Sequence, residues 1–236
     1  DNVVINEDLE KIVDTSNEWI VSRSGIRERR IAPPEMASSD FAVIAANEAI
    51  AGAGITAEEI DLVIVATNTP DMIFPATACL VQDRIGAKKA GAFDLAAGCS
   101  GFMYALLVGS QFVSAGSCRN VLVIGSENLS KIVNWKDRKT CVLFGDGAGA
   151  AVIRPVAPGS GVLSHKLYAD GSGGKYLNLP AGGSRIPASH ETVDGNLHYI
   201  HMRGRDVFRF AVRATARSAT EVLGAAGLKM SDVDYF

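Results

Sequence analysis

Ala92-Phe93-Asp94-Leu95-Ala96-Ala97-Gly98-Cys99-Ser100-Gly101-Phe102 joins a short, nearly continuous apolar run to an Ala/Leu-rich segment. The first half suits a buried strand and the second a helix, so the reading is a strand-turn-helix unit with a cysteine in the turn. A helix N-terminus presents unpaired N–H groups and about half a positive charge, which favours a thiolate there. Gly98 and Gly101 permit a tight turn and a close approach of substrate to the backbone. The Cys99 N–H is then a candidate oxyanion donor. The structural alternative is a packed cysteine, since free cysteine is among the most buried residue types.

The same alternation extends outward. Ile60–Thr67, Asn120–Gly125, Thr140–Phe144, Ala148–Ile153 and Leu163–Tyr168 read as further strands, and Ser39–Ala53, Ala76–Ile85 and Gly101–Ala115 as helices. Short apolar strands alternating with helical segments predict an α/β fold whose strands are covered on both faces. Gly, Pro and Ser cluster at 155–161 and 171–188, which places a junction near residue 158. We therefore expect one half at 1–158 and the beginning of another at 159–236. An internal echo supports that division. Ala53-Gly54-Ile55-Thr56-Ala57-Glu58-Glu59-Ile60-Asp61-Leu62-Val63 is matched in type by Ala226-Gly227-Leu228-Lys229-Met230-Ser231-Asp232-Val233-Asp234-Tyr235-Phe236. Each follows an Ala-rich helix that a glycine ends. The second copy stops three residues into its strand, so the expectation is a second half that is incomplete, with residues absent before Asp1 as well.

Composition narrows the function. The 236 residues are 47% hydrophobic and carry a net charge of −3, enough for a large core and without a basic footprint for nucleic acid. No apolar stretch approaches the roughly 20 residues that span a bilayer, and no secretory leader opens the chain, so the cytosol is the expected compartment. The four cysteines lack C-x-x-C spacing, which fits reduced thiols; Cys79, Cys118 and Cys141 read as packing residues. His198 and His201 lie three apart on a segment read as a strand, where their side chains point to opposite faces, so no metal site is expected. Gly145-Asp146-Gly147-Ala148-Gly149 fails the dinucleotide pattern and Gly171-Ser172-Gly173-Gly174-Lys175-Tyr176 fails the P-loop pattern. The former is read as a tight turn.

Three separated motifs, Asp14-Thr15-Ser16-Asn17-Glu18-Trp19-Ile20-Val21-Ser22-Arg23-Ser24-Gly25-Ile26-Arg27-Glu28-Arg29, Gly98-Cys99-Ser100-Gly101-Phe102 and Phe144-Gly145-Asp146-Gly147-Ala148-Gly149-Ala150, together resemble the β-ketoacyl-acyl-carrier-protein synthase III family. The resemblance implies a thiolase-like fold, with duplicated α/β halves in a five-layer αβαβα arrangement, and a homodimer. It implies an acyl group, often acetyl, passing from coenzyme A to Cys99, then decarboxylative condensation with malonyl-acyl-carrier-protein to start fatty-acid synthesis. Coenzyme A enters as a thioester substrate, and no resident cofactor is implied.

Residue by residue, Trp19 and Arg138 match the side chains that sandwich the adenine, and Arg23 and Thr15 match neighbours of the phosphates and nucleotide end. Thr15 and Glu18 also read as a capping box, which would put Trp19 and Arg23 on one helical face. Gly204 and Phe208 match the lining of the pantetheine tunnel. Phe74 matches the residue that closes the acyl pocket from the neighbouring subunit, and Arg209 a basic position that docks the carrier protein. The family's catalytic His and Asn lie downstream of the region matched by Asp234-Tyr235-Phe236, and none of His165, His190, His198 or His201 sits in a matching context. The expectation is that these 236 residues do not condense, or fold stably, unaided. Polyketide starter synthases and hydroxymethylglutaryl-type synthases would also use Cys99. A non-catalytic dimerisation or carrier-binding module would need neither Cys99 nor the Trp19, Arg23 and Arg138 group.

Overall fold

The computed structural model describes residues 2–236. Its elements in chain order are β1 (Val3–Ile5), α1 (Asn6–Leu9), α2 (Asn17–Ser24), β2 (Glu28–Arg30), α3 (Ser38–Ala53), β3 (Leu62–Ala66), α4 (Thr77–Arg84), β4 (Gly91–Leu95), α5 (Gly101–Ser114), β5 (Val121–Asn128), β6 (Asp146–Ile153), β7 (Leu177–Asn178), α6 (His190–Asp194), β8 (His201–Met202) and α7 (Gly204–Ala225). They fall into two compact units. The first holds residues 2–3, Arg30–Ser130 and Gly145–Val162; the second holds Val4–Arg29, Lys131–Phe144 and Leu163–Phe236.

In the first unit four strands form one sheet in the order β4-β3-β5-β6. β3 runs parallel to both β4 and β5, and β6 is antiparallel to β5. All five residues of β3 are buried, and its side chains divide by period two. Val63 and Val65 pack with Ala42, Ala46 and Ile50 of α3 and Val81 of α4. Leu62, Ile64 and Ala66 pack with Ala105 of α5 on the opposite face. β5 divides likewise, Leu122 and Ile124 to one side and Val121 and Val123 to the other. A strand apolar at every position is thus the signature of a sheet sandwiched between helices.

The second unit has a separate core of Leu9, Ile20, Val133, Cys141 and Val142. Buried Arg29 spans it, donating to the carbonyl of Val4 at 3.1 Å, to Asn6 Oδ1 at 2.8 Å and to the carbonyl of Val142 at 3.3 Å. Two expected strands are absent here. Residues 140–144 form turns, with the amides of Thr140 and Cys141 both bonded to the Asp137 carbonyl. Their apolarity reflects burial in the second core and not strand pairing. Residues 163–168 belong to no strand ladder. They are tied to α7 by the Ser164 hydroxyl on the Val222 carbonyl at 2.5 Å and by a Lys166–Glu221 ion pair at 2.7 Å.

The internal echo has a structural counterpart. α3 ends at Gly54 (φ 65) and is followed by a 3-10 turn at Ala57–Glu59, whose Glu59 carboxylate accepts the Thr56 N–H at 2.8 Å. After α7, Gly227 (φ 71) precedes a 3-10 turn at Met230–Asp232, whose Asp232 carboxylate accepts the Lys229 N–H at 2.9 Å. No helix among the described residues is long and apolar enough to cross a membrane.

Candidate active site

β4 delivers the chain to the turn in which Cys99 sits. Asp94, on that strand, caps α4 by accepting the N–H groups of Thr77 at 2.8 Å and Ala78 at 2.7 Å, which anchors the strand end. The chain then turns at Gly98, whose φ of +58° is a conformation that costs other L-residues roughly 1–2 kcal/mol. Gly98–Ser100 form a 3-10 turn that runs directly into α5. Gly101 packs closely on the sheet: a Cβ there would stand 3.2 Å from the Cβ of Ala66. Cys99 is therefore held at the positive end of a 14-residue helix, and its side chain is exposed.

Cys99 opens onto a pocket of about 250 Å³. Its floor is built from the register pair Ala66 and Gly125, with Phe102 of α5 against Gly125. Gly147, Ala148 and Gly149 line a further wall. The 145–149 run expected as a tight turn is instead the start of β6, paired Glu127 to Gly147, Ser126 to Ala148 and Gly125 to Gly149. Its small side chains leave the space that the pocket occupies. The residue that the sequence reading did not single out is Glu127. It lines the pocket, and its carboxylate accepts the Asn68 backbone N–H at 2.9 Å, the Asn68 side-chain amide at 2.7 Å and the Thr69 hydroxyl at 2.7 Å. A carboxylate at the polar end of a strand that begins as an apolar run was the available signal.

In the second unit the N-cap of α2 is Ser16, which accepts the Trp19 N–H at 3.2 Å, and not Thr15 as the capping-box reading had it. The shared helical face holds nevertheless. The guanidinium carbons of Arg23 and Arg138 lie 4.6 and 5.2 Å from the Trp19 ring centroid. Arg138 also donates to the Asp14 carbonyl at 2.6 Å and pairs with its carboxylate at 3.3 Å. The Thr15 hydroxyl is buried without a partner, an orphaned polar atom beside this cluster. Gly204 and Phe208 both lie on α7, Gly204 at its first residue, and Phe208 and Arg209 are exposed. Phe74, in the first unit, is 82% exposed and is not among the residues lining the Cys99 pocket. His198 and His201 are engaged by the Thr192 hydroxyl at 2.8 Å and the Asn196 carbonyl at 3.2 Å.

A cysteine at the strand-to-helix turn of a helix-covered α/β sheet, facing a small pocket, is placed as a catalytic nucleophile would be. Residues 93–171 match the family model of 3-oxoacyl-[acyl-carrier-protein] synthase III. The chain is 58% identical over 99% of its length to the β-ketoacyl-[acyl-carrier-protein] synthase III of Caldanaerobacter subterraneus subsp. tengcongensis, covering 71% of that protein, and 57% identical, at the same coverage, to that of Symbiobacterium thermophilum. The crystal structure of 3-oxoacyl-[acyl-carrier-protein] synthase III from Aquifex aeolicus superposes with a TM-score of 0.89 at 48% identity, over 98% of this chain and 70% of that one. This chain belongs to the β-ketoacyl-[acyl-carrier-protein] synthase III family, condensing acyltransferases of fatty-acid biosynthesis.

Proposed function

We propose that Cys99 is the residue that carries the acyl group. The observation that carries this reading is its exposed position at the start of α5, facing the pocket. The Cys99 thiolate attacks the carbonyl carbon of a short acyl-coenzyme A. The new C–S bond forms as the bond to coenzyme A breaks, and the coenzyme leaves as its thiolate. In the condensation, for which the family uses a His and an Asn that none of these residues matches, malonyl-acyl-carrier-protein loses carbon dioxide and the carbanion left behind attacks the acyl-Cys99 thioester. A 3-oxoacyl-acyl-carrier-protein results and Cys99 is released. Backbone N–H groups at the helix start stabilise the oxyanion that forms at each attack.

Trp19, Arg23, Arg138 and Thr15 are read as the site for the nucleotide end of the coenzyme. An aromatic ring flanked by two guanidiniums suits a base bearing phosphates, and the unpartnered Thr15 hydroxyl offers that ligand a hydrogen bond. Gly204 and Phe208 are assigned to the pantetheine path and Arg209 to carrier-protein docking. Residues 1–158 and 159–236 are read as one thiolase-like half and the beginning of a second, the paired helix, glycine and 3-10 turn arrangements being the support. A second copy of the chain is the expected partner of the loop carrying Phe74. That loop exposes Ile73 at 84% and Phe74 at 82%, and β4 is an edge of the sheet. The enzyme is read as cytoplasmic and without a resident cofactor.

Incubation with radiolabelled acetyl-coenzyme A tests the assignment. Label retained by the unmodified chain and lost from Cys99→Ala is expected; label persisting on that variant would transfer the role elsewhere.

A further inference from the structure

Glu127 stands at the C-terminal end of β5 with its stem toward the Cys99 pocket and its carboxylate committed to the loop after β3. The backbone register shows why this matters. Ala66 and Gly125 are the last pair of the β3–β5 ladder, and Asn68 and Glu127 lie two residues beyond each. At that next position the backbone bond is replaced by a side chain, because the Glu127 carboxylate takes the Asn68 N–H at 2.9 Å. The Asn68 amide at 2.7 Å and the Thr69 hydroxyl at 2.7 Å complete the clamp. Thr69 in turn accepts the Asn128 N–H at 2.7 Å, and its carbonyl accepts the Ser38 hydroxyl at 2.5 Å. The other residues lining the pocket are glycines, alanines, one serine, Cys99 and Phe102. Glu127 and Phe102 are thus the two large side chains that limit the space beside the nucleophile. Phe102 is fixed by its place on α5 against Gly125. The Glu127 carboxylate is held by three hydrogen bonds from Asn68 and Thr69.

We propose that Glu127 is a specificity-determining wall of the acyl pocket, held in place by Asn68 and Thr69, and that it restricts Cys99 to short acyl groups. Its carboxylate already accepts three hydrogen bonds from the loop, so what it presents to the pocket is its stem, a contribution of shape. The proposal rests on the reading of Cys99 as the acyl carrier. Truncation to alanine removes the wall and frees the loop; glutamine keeps the length and can still accept from Asn68.

The test is the rate of acyl-enzyme formation, followed by intact mass on the full chain with acetyl-, butyryl- and hexanoyl-coenzyme A supplied singly and in competition. Glu127→Ala shifts the hexanoyl-to-acetyl ratio upward by about tenfold or more, while Glu127→Gln keeps the unmodified order of preference. Thr69→Val, which deletes one clamp hydroxyl and leaves the wall in place, shifts the ratio in the same direction by less. Rates that fall equally for all three donors in Glu127→Ala, with the ratio unchanged, describe a merely structural residue and overturn the proposal. Should Glu127→Ala not fold, an unchanged ratio in Thr69→Val overturns it. Absence of acylation at Cys99 in the unmodified chain would instead remove the nucleophile assignment, and the wall with it.

Discussion

The Arg23 guanidinium carbon lies 4.6 Å from the centroid of the Trp19 ring, one helical turn earlier on α2. With Arg138 at 5.2 Å, the ring is a platform surrounded by positive charge. Base–aromatic stacking is worth about 1–3 kcal/mol. Trp19→Ala therefore raises the KM for acetyl-coenzyme A by roughly tenfold or more, with kcat little changed. Acetyl-pantetheine, which lacks the nucleotide, is insensitive to the substitution. Equal effects on both donors would show that Trp19 supports the fold and not the nucleotide.

The four thiols differ in access, and their alkylation should follow it. Cys99 is exposed and Cys141 is fully buried. Burial, with a smaller contribution from Asp137, pushes the Cys141 thiol up, and burial raises Cys118 too. Iodoacetamide at neutral pH modifies Cys99 first and leaves Cys141 untouched until the chain is unfolded. Peptide mass mapping over time checks the order; early modification of Cys141 would contradict the buried core around it.

Arg29 is a buried cation whose hydrogen bonds go to two carbonyls and the Asn6 side-chain oxygen. Burial lowers its pKa, yet a guanidinium stays charged at neutral pH. Arg29→Lys loses the planar fork that reaches Val4, Asn6 and Val142 at once. A destabilisation of about 2–4 kcal/mol is expected, because buried acceptors are left unsatisfied. Urea unfolding followed by circular dichroism measures it; a midpoint unchanged from the parent would refute the account.

Glu221 is held down to about 2, first by the Lys166 hydrogen bond, then by those from the Tyr168 hydroxyl and Arg217. The Lys166 and Arg217 contacts are 2.7 and 2.8 Å. Its folded value lies below the ordinary 4.5, so the stability it contributes is present above pH 4.5 and is lost as pH falls toward 2. Glu221→Gln should flatten the dependence of the melting midpoint on pH between these limits. At pH 7 the variant also lacks the ion pairs. Parallel pH curves for parent and variant would count against this linkage.

Much of the sandwich was legible because its strands are buried on both faces. Val63 and Ile64 face opposite layers of helix, so both must be apolar, and an unbroken apolar run results. The same signal misled at residues 140–144, where Cys141 and Val142 are buried against Leu9 and Ile20 without pairing to any strand. Apolarity reports burial, and burial has more than one geometry. Thr15 and Ser16 show a local version of the difficulty. Either hydroxyl can cap α2 by spacing, and the choice fell to Ser16.

The sequence by itself determined that a cysteine would stand between a buried strand and a helix, that Trp19 and Arg23 would share a face, and that the family would be recognisable. The first two are relations between residues close in the chain, fixed by helical and strand periodicity; the third rests on three separated motifs that resemble the family. The resemblance paired Arg138 with Trp19 in advance, but only the tertiary structure gives the physical contact across more than a hundred residues, and it alone decided that Glu127 would grip the Asn68–Thr69 loop beside the Cys99 pocket. The Glu127 grip arises where the parallel strands β3 and β5, distant in sequence, run side by side, and the Trp19–Arg138 contact where helix α2 meets the 135–140 turn; neither alignment is written into a local period.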